Sequence, residues 1–420
     1  MMGRNGVNRT RTGLIAALDV GSSKISCFIA RAGPEGGIRV VGVGHHGSNG
    51  VRNGAIVDME EAQASILIAV GAAEQMSGER VRAVIVNLSG GNPNSRTFGI
   101  EVAIAGHEVG DSDIRRIHGH TMSHGDEHES EMIHCIPVGY SIDGNRGIRD
   151  PRGMYGETLG VDMHLVTAAS GAYRNLATCV ARCHLDIDDV VISPYASGLA
   201  CLVEDEMDLG VTLIDMGGGT TSVAVFYDGA IVYADVVPVG GGHVTNDIAR
   251  GLSTPVHHAE RMKTLYGSAT PSVADEREVI DVPLVGEDSH SHPNHVSRSM
   301  LVGIIRPRLE ETFELVRGRL EANGLQRLAG RRLVITGGAS QLQGVSELAT
   351  LILEKQVRIG LPLRISGLAE ATSGAAFATC AGLLRFAVEN RGELDETPRI
   401  SPEAQGFRFG RVGQWLKENL

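Results

Sequence analysis

The chain has 420 residues, 42% of them hydrophobic, and a formal net charge of −12, enough length for a large buried core and for roughly two to four domains. That acidic balance excludes a nucleic-acid binder, since no lysine- or arginine-rich block follows the opening MMGRNGVNRTRTG. No run approaches the roughly 20 apolar residues of a spanning helix and the start lacks the apolar stretch of a signal peptide, so a cytoplasmic protein is expected.

In chain order, residues 1–12 read as a disordered tail. LIAALDVGSSKISCFIA (residues 14–30) then runs from an apolar strand through Asp19, Gly21, the hydroxyls Ser22 and Ser23 and the cation Lys24 into a second strand. The stretch GHEVGDSDIRRIHGHTMSHGDEHESEMIH (residues 106–134) suits an exposed helix and loop. Its His118, His120, His124 and His128, with Asp126 and Glu127, have side chains able to cradle a transition metal, although histidine serves equally as a polar surface residue. Cys179 and Cys183 stand one helical turn apart, but no second pair completes a metal site, and the six cysteines read as buried thiols.

LIDMGGGTTSVAVF (residues 213–226) repeats the logic of the first hairpin. Gly217, Gly218 and Gly219 can turn several N–H groups toward one point, wrapping an anion, and Thr220 and Thr221 add hydroxyls. Asp215 would repel a bare phosphate unless a cation stood between them, which points to phosphate with Mg²⁺. A glycine-rich turn with no ligand explains this stretch taken alone; its recurrence half a chain away speaks for a duplicated architecture with a nucleotide between the halves.

Three segments suit the same cleft. VPVGGGHVTNDIARGL (residues 237–252) enters a helix through Gly240, Gly241 and Gly242, with Asn246 a turn further on, and its N-terminal amides favour a phosphate. In PVHHAERMKTLYG, Glu260 and Lys263 share a helix face, as a surface ion pair or as a grip on adenosine hydroxyls or base edges. RLVITGGASQLQGVSEL (residues 332–348) carries Gly337 and Gly338, then Ala339 and Gln341, where a flat base or ribose could lie against the backbone.

At the C-terminus RGELDETPRISPEAQ reads as a linker whose roughly 15 residues reach up to about 50 Å when extended. In GFRFGRVGQWLKENL, helical spacing places Phe409, Val412, Leu416 and Leu420 on one face with Trp415 at its border, a short amphipathic helix suited to a membrane surface. A terminal helix docked on its own body is the alternative.

The hairpins and glycine segments resemble the five nucleotide motifs of the actin, sugar-kinase and heat-shock-chaperone superfamily. GAIVDMEEAQASILIAVGAAEQM, IDGNRGIRDPRGMYG, GGGHVTNDIARGL, IIRPRLEETFELVR and TGGASQLQGVSELA, in this order, more specifically resemble the FtsA family of bacterial cell-division actin homologues. The resemblance implies an α/β, actin-like duplicated ATPase fold, two ribonuclease-H-like halves around a nucleotide cleft, with a family-specific inserted subdomain. Residues 13–85, 165–203 and 374–392 would form one core subdomain and 204–245 with 328–373 its duplicate. Residues 86–164 would be the insert, used in contacts between subunits, and 246–327 the cap on the second half; 393–407 would be the linker and 408–420 the membrane helix.

The ligands it implies are ATP and Mg²⁺, with Asp19 and Asp215 holding the metal through water, and it implies no other metal. It also implies filaments of this chain on the cytoplasmic face of the inner membrane at the division site, capture of the acidic C-terminal peptide of FtsZ by the cap, and recruitment of later division proteins. Arg298, Arg306 and Arg308 would supply a basic groove for that peptide. Where chaperone relatives place a glutamate to position the attacking water, this chain has Ser193, which cannot act so; slow hydrolysis at most is expected. A sugar kinase would need a carboxylate base that no motif supplies, and a chaperone would continue into a substrate domain. A pilus-assembly actin-like scaffold is the alternative.

Overall fold

The computed structural model describes residues 13–33, 37–121, 130–286, 294–326, 328–363 and 365–389. Two sheets dominate it, and their orders are the same. In the first, strand Gly13–Val20 pairs antiparallel with Lys24–Ala32, which pairs with Ile38–Gly47, while on its other side Ala83–Leu88 and then Asp186–Ile192 run parallel to it. In the second, Val211–Met216 pairs antiparallel with Thr221–Tyr227 and this with Ala230–Val237, while Arg332–Thr336 and Gln356–Ile359 add in parallel. A duplicated half is thus visible in topology as well as in the hairpin motif; the short strand Ile365–Ser366 extends the first sheet alone.

The local sequences account for these elements. Helix Met59–Ser77 starts at Asp58, whose carboxylate accepts from the Glu60 and Glu61 amides at 3.0 Å each, a cap of about 1 kcal/mol. It ends at Gly78, whose φ of 72° is the left-handed conformation glycine takes without strain. Its Ala62, Ile66, Ala69, Val70 and Ala73 fall on one face and are buried against the first sheet.

The core between the two sheets is filled by helices Ser193–Cys201 and Ala378–Glu389. Phe28 and Ala30 of the first sheet and Leu213, Phe226 and Val334 of the second close on Tyr195, Ala196, Leu383 and Leu384 of these helices. The two helices touch because residue 382 is glycine: a Cβ there would come within 1.7 Å of the Ala196 carbonyl oxygen. Helices Gly241–Gly251, Val256–Tyr266 and Arg298–Ala322 with the hairpin Val279–Val282/Asn294–Ser297 form the cap on the second half, over a core of Ile248, Met262, Ile305 and Phe313.

Between strand Ala83–Leu88 and helix Ser170–Arg182 the chain leaves the first sheet to build another. Its order is Asn94–Ala103, Thr158–Ala169, Ser130–Ile142, Asn145–Ile148, with helix Asp111–Thr121 against it. All six cysteines are buried free thiols, as their spacing suggested. Among the described residues no helix is long and apolar enough to cross a membrane.

Candidate functional site

The two hairpin tips are the same turn. Gly21 N donates to Lys24 O at 3.2 Å, and Gly217 N donates to Thr220 O at 2.9 Å. In register, Asp19 lies opposite Ser26 and Asp215 opposite Ser222. The tips also meet: a Cβ on Gly218 would come 2.5 Å from Ser23 Cβ, and one on Gly219 would come 2.5 Å from Ser22 Oγ. Ser22 Oγ in turn accepts from Gly54 N at 2.8 Å. Asn53 and Gly54 sit there at φ 49° and 75°, the paired left-handed turn that an Asn-Gly dipeptide favours. Thr221 Oγ1 donates to Val239 O at 2.7 Å, joining the second hairpin to the segment that carries Gly240.

Both aspartates are buried. Asp19 accepts from Asn87 Nδ2 at 2.8 Å. Asp215 accepts from Thr379 Oγ1 at 2.9 Å and, at closer range, from Ser197 Oγ. An Asp215 at an open hairpin edge, which its place before the glycines suggests, is therefore corrected: the residue is only 7% exposed and its carboxylate is held from two helices, one just upstream of its strand and one near the end of the described chain. Burial pushes the Asp19 carboxyl up to about 7, with the nearby Asp215 charge adding to the rise and Lys24 and Asn87 opposing it. Asp215 is likewise raised by burial, against the hydrogen bonds from Ser197 and Thr379 and the Lys24 charge. Lys24 reaches Ala376 O at 2.7 Å and stands 3.2 Å over the centre of the Phe377 ring, with burial lowering its pKa.

The glycine segments converge on the second hairpin. Gly241 N donates to Gly217 O at 2.9 Å and Gly242 N to Gly218 O at 2.7 Å, so the expectation that these helix-terminal amides face a phosphate is corrected: they bind the second tip instead. A Cβ on Gly241 would lie 3.0 Å from Ala339 Cβ and 3.7 Å from Lys263 Nζ. Lys263 Nζ donates to Glu260 Oε2 at 2.7 Å, to Thr245 Oγ1 at 2.8 Å and to Gly241 O at 3.0 Å. The Glu260–Lys263 pair is thus an ion pair set against the cleft glycines. Gly337 abuts the Asp215 carboxylate, while Gly338, Gln341 and Asn246 are exposed.

The three arginines do not form an open basic groove, which corrects that expectation. Arg298 reaches Asp275 at 3.0 Å and Glu278 at 3.3 Å, Arg306 reaches Glu310 at 2.6 Å, and Arg308 reaches Asp247 at 2.6 Å and also Glu311. All three lie on helix Arg298–Ala322; Glu310 and Glu311 neutralise Arg306 and Arg308 at helical spacing, while Asp247, Asp275 and Glu278 reach Arg308 and Arg298 from outside that helix. His118 Nε2 lies 3.0 Å from Tyr140 Oη. Among the described residues no cluster of three or more metal-type side chains occurs. The His120 side chain, His124, Asp126, Glu127 and His128, and Phe409, Val412, Trp415, Leu416 and Leu420 of the C-terminus, lie outside the described residues.

Comparison with known proteins decides the family. Residues 212–382 match the family described as Cell division protein FtsA, and residues 90–167 match the SHS2 domain inserted in FTSA. Over 422 residues the chain is 44% identical to the cell division protein FtsA of Rhizobium meliloti (strain 1021), covering 98% of this chain and 96% of that one. The chain belongs to the FtsA family of cell division proteins. Solved structures agree in fold. A PilM-PilN type IV pilus biogenesis complex matches with a TM-score of 0.62 at 18% identity, covering 90% of this chain and 100% of that one. MreB5 of Spiroplasma citri bound to ADP matches with a TM-score of 0.53 at 15% identity, covering 89% and 96%. The fold is the actin-like ATPase fold, and the family's inserted domain coincides with the four-stranded sheet described above.

In this FtsA-family chain the residues the motifs point to lie close together, yet the side chains that hold the aspartates are elsewhere. Asn87, Ser197 and Thr379 come from a strand and two helices outside the glycine-rich hairpins and segments. Asn53-Gly54 had a local signal, the Asn-Gly turn dipeptide, and Lys24's partners Ala376 and Phe377 had none.

Proposed function

We propose that this chain binds ATP with Mg²⁺ in the cleft between its halves and forms filaments on the cytoplasmic face of the membrane at the division site. There it anchors FtsZ polymers through their acidic C-terminal peptide and helps to recruit later division proteins. The observation that carries the nucleotide reading is the meeting of two identical hairpin turns beside two buried carboxylates, Asp19 and Asp215.

The residues present fit such a ligand. One ammonium, Lys24, stands against two carboxylates whose ionisation burial opposes, so a divalent cation would complete the charge balance, and Mg²⁺ binds oxygen ligands while retaining water. The cation would supply charge neutralisation for the phosphates. Asp19 and Asp215 would hold its hydration shell, while the tips at Gly21–Lys24 and Gly217–Thr221 would face the phosphates. Glu260 and Lys263 would flank the nucleoside and Gly337–Ala339 with Gln341 the base. Ser193, buried at the start of its helix, offers no carboxylate to a water, which supports binding with slow turnover at most. The ADP bound to MreB5, a protein of like fold, supports nucleotide binding.

The membrane reading rests on the sequence of residues 408–420. Burying five apolar side chains at about 1.5 to 3 kcal/mol each, before ordering costs, suits reversible attachment that polymerisation strengthens. Titration calorimetry with Mg-ATP tests the nucleotide reading; absence of binding removes it. Co-sedimentation with lipid vesicles, with and without FtsZ, tests the remainder. Trp415→Glu is expected to leave the vesicle fraction while keeping ATP and FtsZ binding, and a variant that still pellets like wild type returns the tail to a docked helix. The likeness to the pilus complex, at 18% identity, carries the fold only.

A further inference from the structure

Asn87 is 2% exposed and its amide is fully assigned by its neighbours. Val20 N is a donor, so it must face Oδ1, at 2.6 Å; the Asp19 carboxylate is an acceptor, so it must face Nδ2, at 2.8 Å. The second Nδ2 hydrogen goes to Ser193 Oγ at 3.0 Å. Asn87 is the penultimate residue of strand Ala83–Leu88 and Ser193 opens helix Ser193–Cys201, so one amide ties the first hairpin to the start of the helix between the two sheets.

The residue before Ser193 continues the connection. Ile192 N donates to His134 Nε2 at 3.1 Å, which requires the imidazole to be neutral with its proton on Nδ1. His134 belongs to strand Ser130–Ile142 of the inserted sheet, and its ring packs edge-on against Tyr195 at 5.3 Å and Phe386 at 6.0 Å. The insert also holds the second half. Ser95 Oγ accepts from Ala234 N at 3.1 Å, and Arg149 reaches Asp208 at 3.2 Å and Asp228 at 3.0 Å. A shift of the Asp19 carboxylate must therefore carry Asn87 and Ser193 with it or break a buried hydrogen bond, and the next bond in line is the one that seats the insert.

We propose that Asn87 is the positioning residue that sets the Asp19 carboxylate for the metal and couples occupancy of the cleft to the seating of strand Ser130–Ile142. This rests on the ATP–Mg²⁺ reading above and adds the regulation of that site: the insert senses the cleft through His134, Ser193 and Asn87, and senses the second half through Ser95 and Arg149.

Two measurements on the full chain test it. The first is the ratio of ATP affinities with and without Mg²⁺ by calorimetry, expected to fall about tenfold in Asn87→Ala; a general loosening of the fold would lower both affinities and leave the ratio in place. The second is hydrogen exchange of residues 130–142 with and without Mg-ATP. Wild type is expected to gain protection, and Ser193→Ala, which keeps Asn87 on Asp19 but cuts its link toward the insert, to lose at least half of that gain. An unchanged ratio in Asn87→Ala, or a full gain in Ser193→Ala, overturns the proposal; if Asn87→Ala fails to fold, the exchange of Ser193→Ala decides. Wild type that binds no ATP overturns the nucleotide reading and this proposal with it, whereas intact wild-type binding with either negative result overturns this proposal alone.

Discussion

Gly337 is pressed against the Asp215 carboxylate: a Cβ built on it would lie 2.4 Å from Asp215 Oδ1 and 2.5 Å from the Met216 carbonyl oxygen. Its φ of 87° and ψ of 165° fall in a region essentially reserved for glycine. Gly337→Ala thus adds backbone strain to a steric clash, each on the order of 1 to 3 kcal/mol. Urea unfolding should show a loss of about 2 to 6 kcal/mol, with Mg-ATP affinity falling as well. A variant as stable as wild type would mean that the two strand ends separate freely.

Asp215 needs a gentler probe than truncation. Ser197 and Thr379 both donate to its carboxylate inside the core and lie 3.0 Å from each other, so in Asp215→Ala one hydroxyl can turn to the other while the second is left without an acceptor, which lowers stability by about 1 to 3 kcal/mol. Asp215→Asn keeps the shape and removes the charge. Calorimetry is expected to show at least tenfold weaker Mg-ATP binding in Asp215→Asn with a melting temperature within a few degrees of wild type. Unchanged affinity takes Asp215 out of the site.

Acid should loosen the insert. Burial pushes the His134 imidazole down to about 3 and His164 to about 4, so between there and the unfolded value near 6.5 the unfolded chain binds more protons than the folded one. Stability from these two groups is complete above pH 6.5 and lost as pH falls, by about 2 kcal/mol each at pH 5. Asp19, raised to about 7, works the other way, its folded form binding more protons as pH falls. Comparing His134→Gln and His164→Gln with wild type in urea at pH 7 and pH 5 separates the terms: each variant should lose about 2 kcal/mol less than wild type over that interval. Parallel losses in all three would place the imidazoles in contact with water.

The arginines of the cap divide by burial. Arg298 pairs with Asp275, which is 1% exposed, whereas the Arg306–Glu310 pair has both partners a third or more exposed. Arg298→Glu leaves an unpaired buried carboxylate, at about 3 to 5 kcal/mol, and Arg306→Glu should cost less than about 1 kcal/mol. Binding of an FtsZ tail peptide is therefore informative in Arg306→Glu and confounded in Arg298→Glu. Equal melting temperatures for the two variants would contradict the difference in burial.

Local sequence was enough to announce both hairpins, the glycine segments and the repetition between halves, because each depends on turn chemistry and strand patterning within a few residues. Asp19-Val20-Gly21 and Asp215-Met216-Gly217 carry their turns with them, and Asp58 and Gly78 mark the ends of their helix by short-range hydrogen bonds and a left-handed residue. What only the tertiary structure decided is how those pieces are partnered. Asn87 lies 68 positions from Asp19 and Thr379 lies 164 from Asp215, and neither is distinguishable in the chain from any other polar residue near a strand or helix end. In sequence Arg308 reads as an open cation, yet Asp247 of a different helix lies 2.6 Å from it, and the Gly241 and Gly242 amides read as available, yet they donate to the carbonyls of Gly217 and Gly218. The reason is physical: a turn or cap is set by bonds to near neighbours, whereas burial and charge pairing depend on which distant surfaces the close-packed core brings into contact.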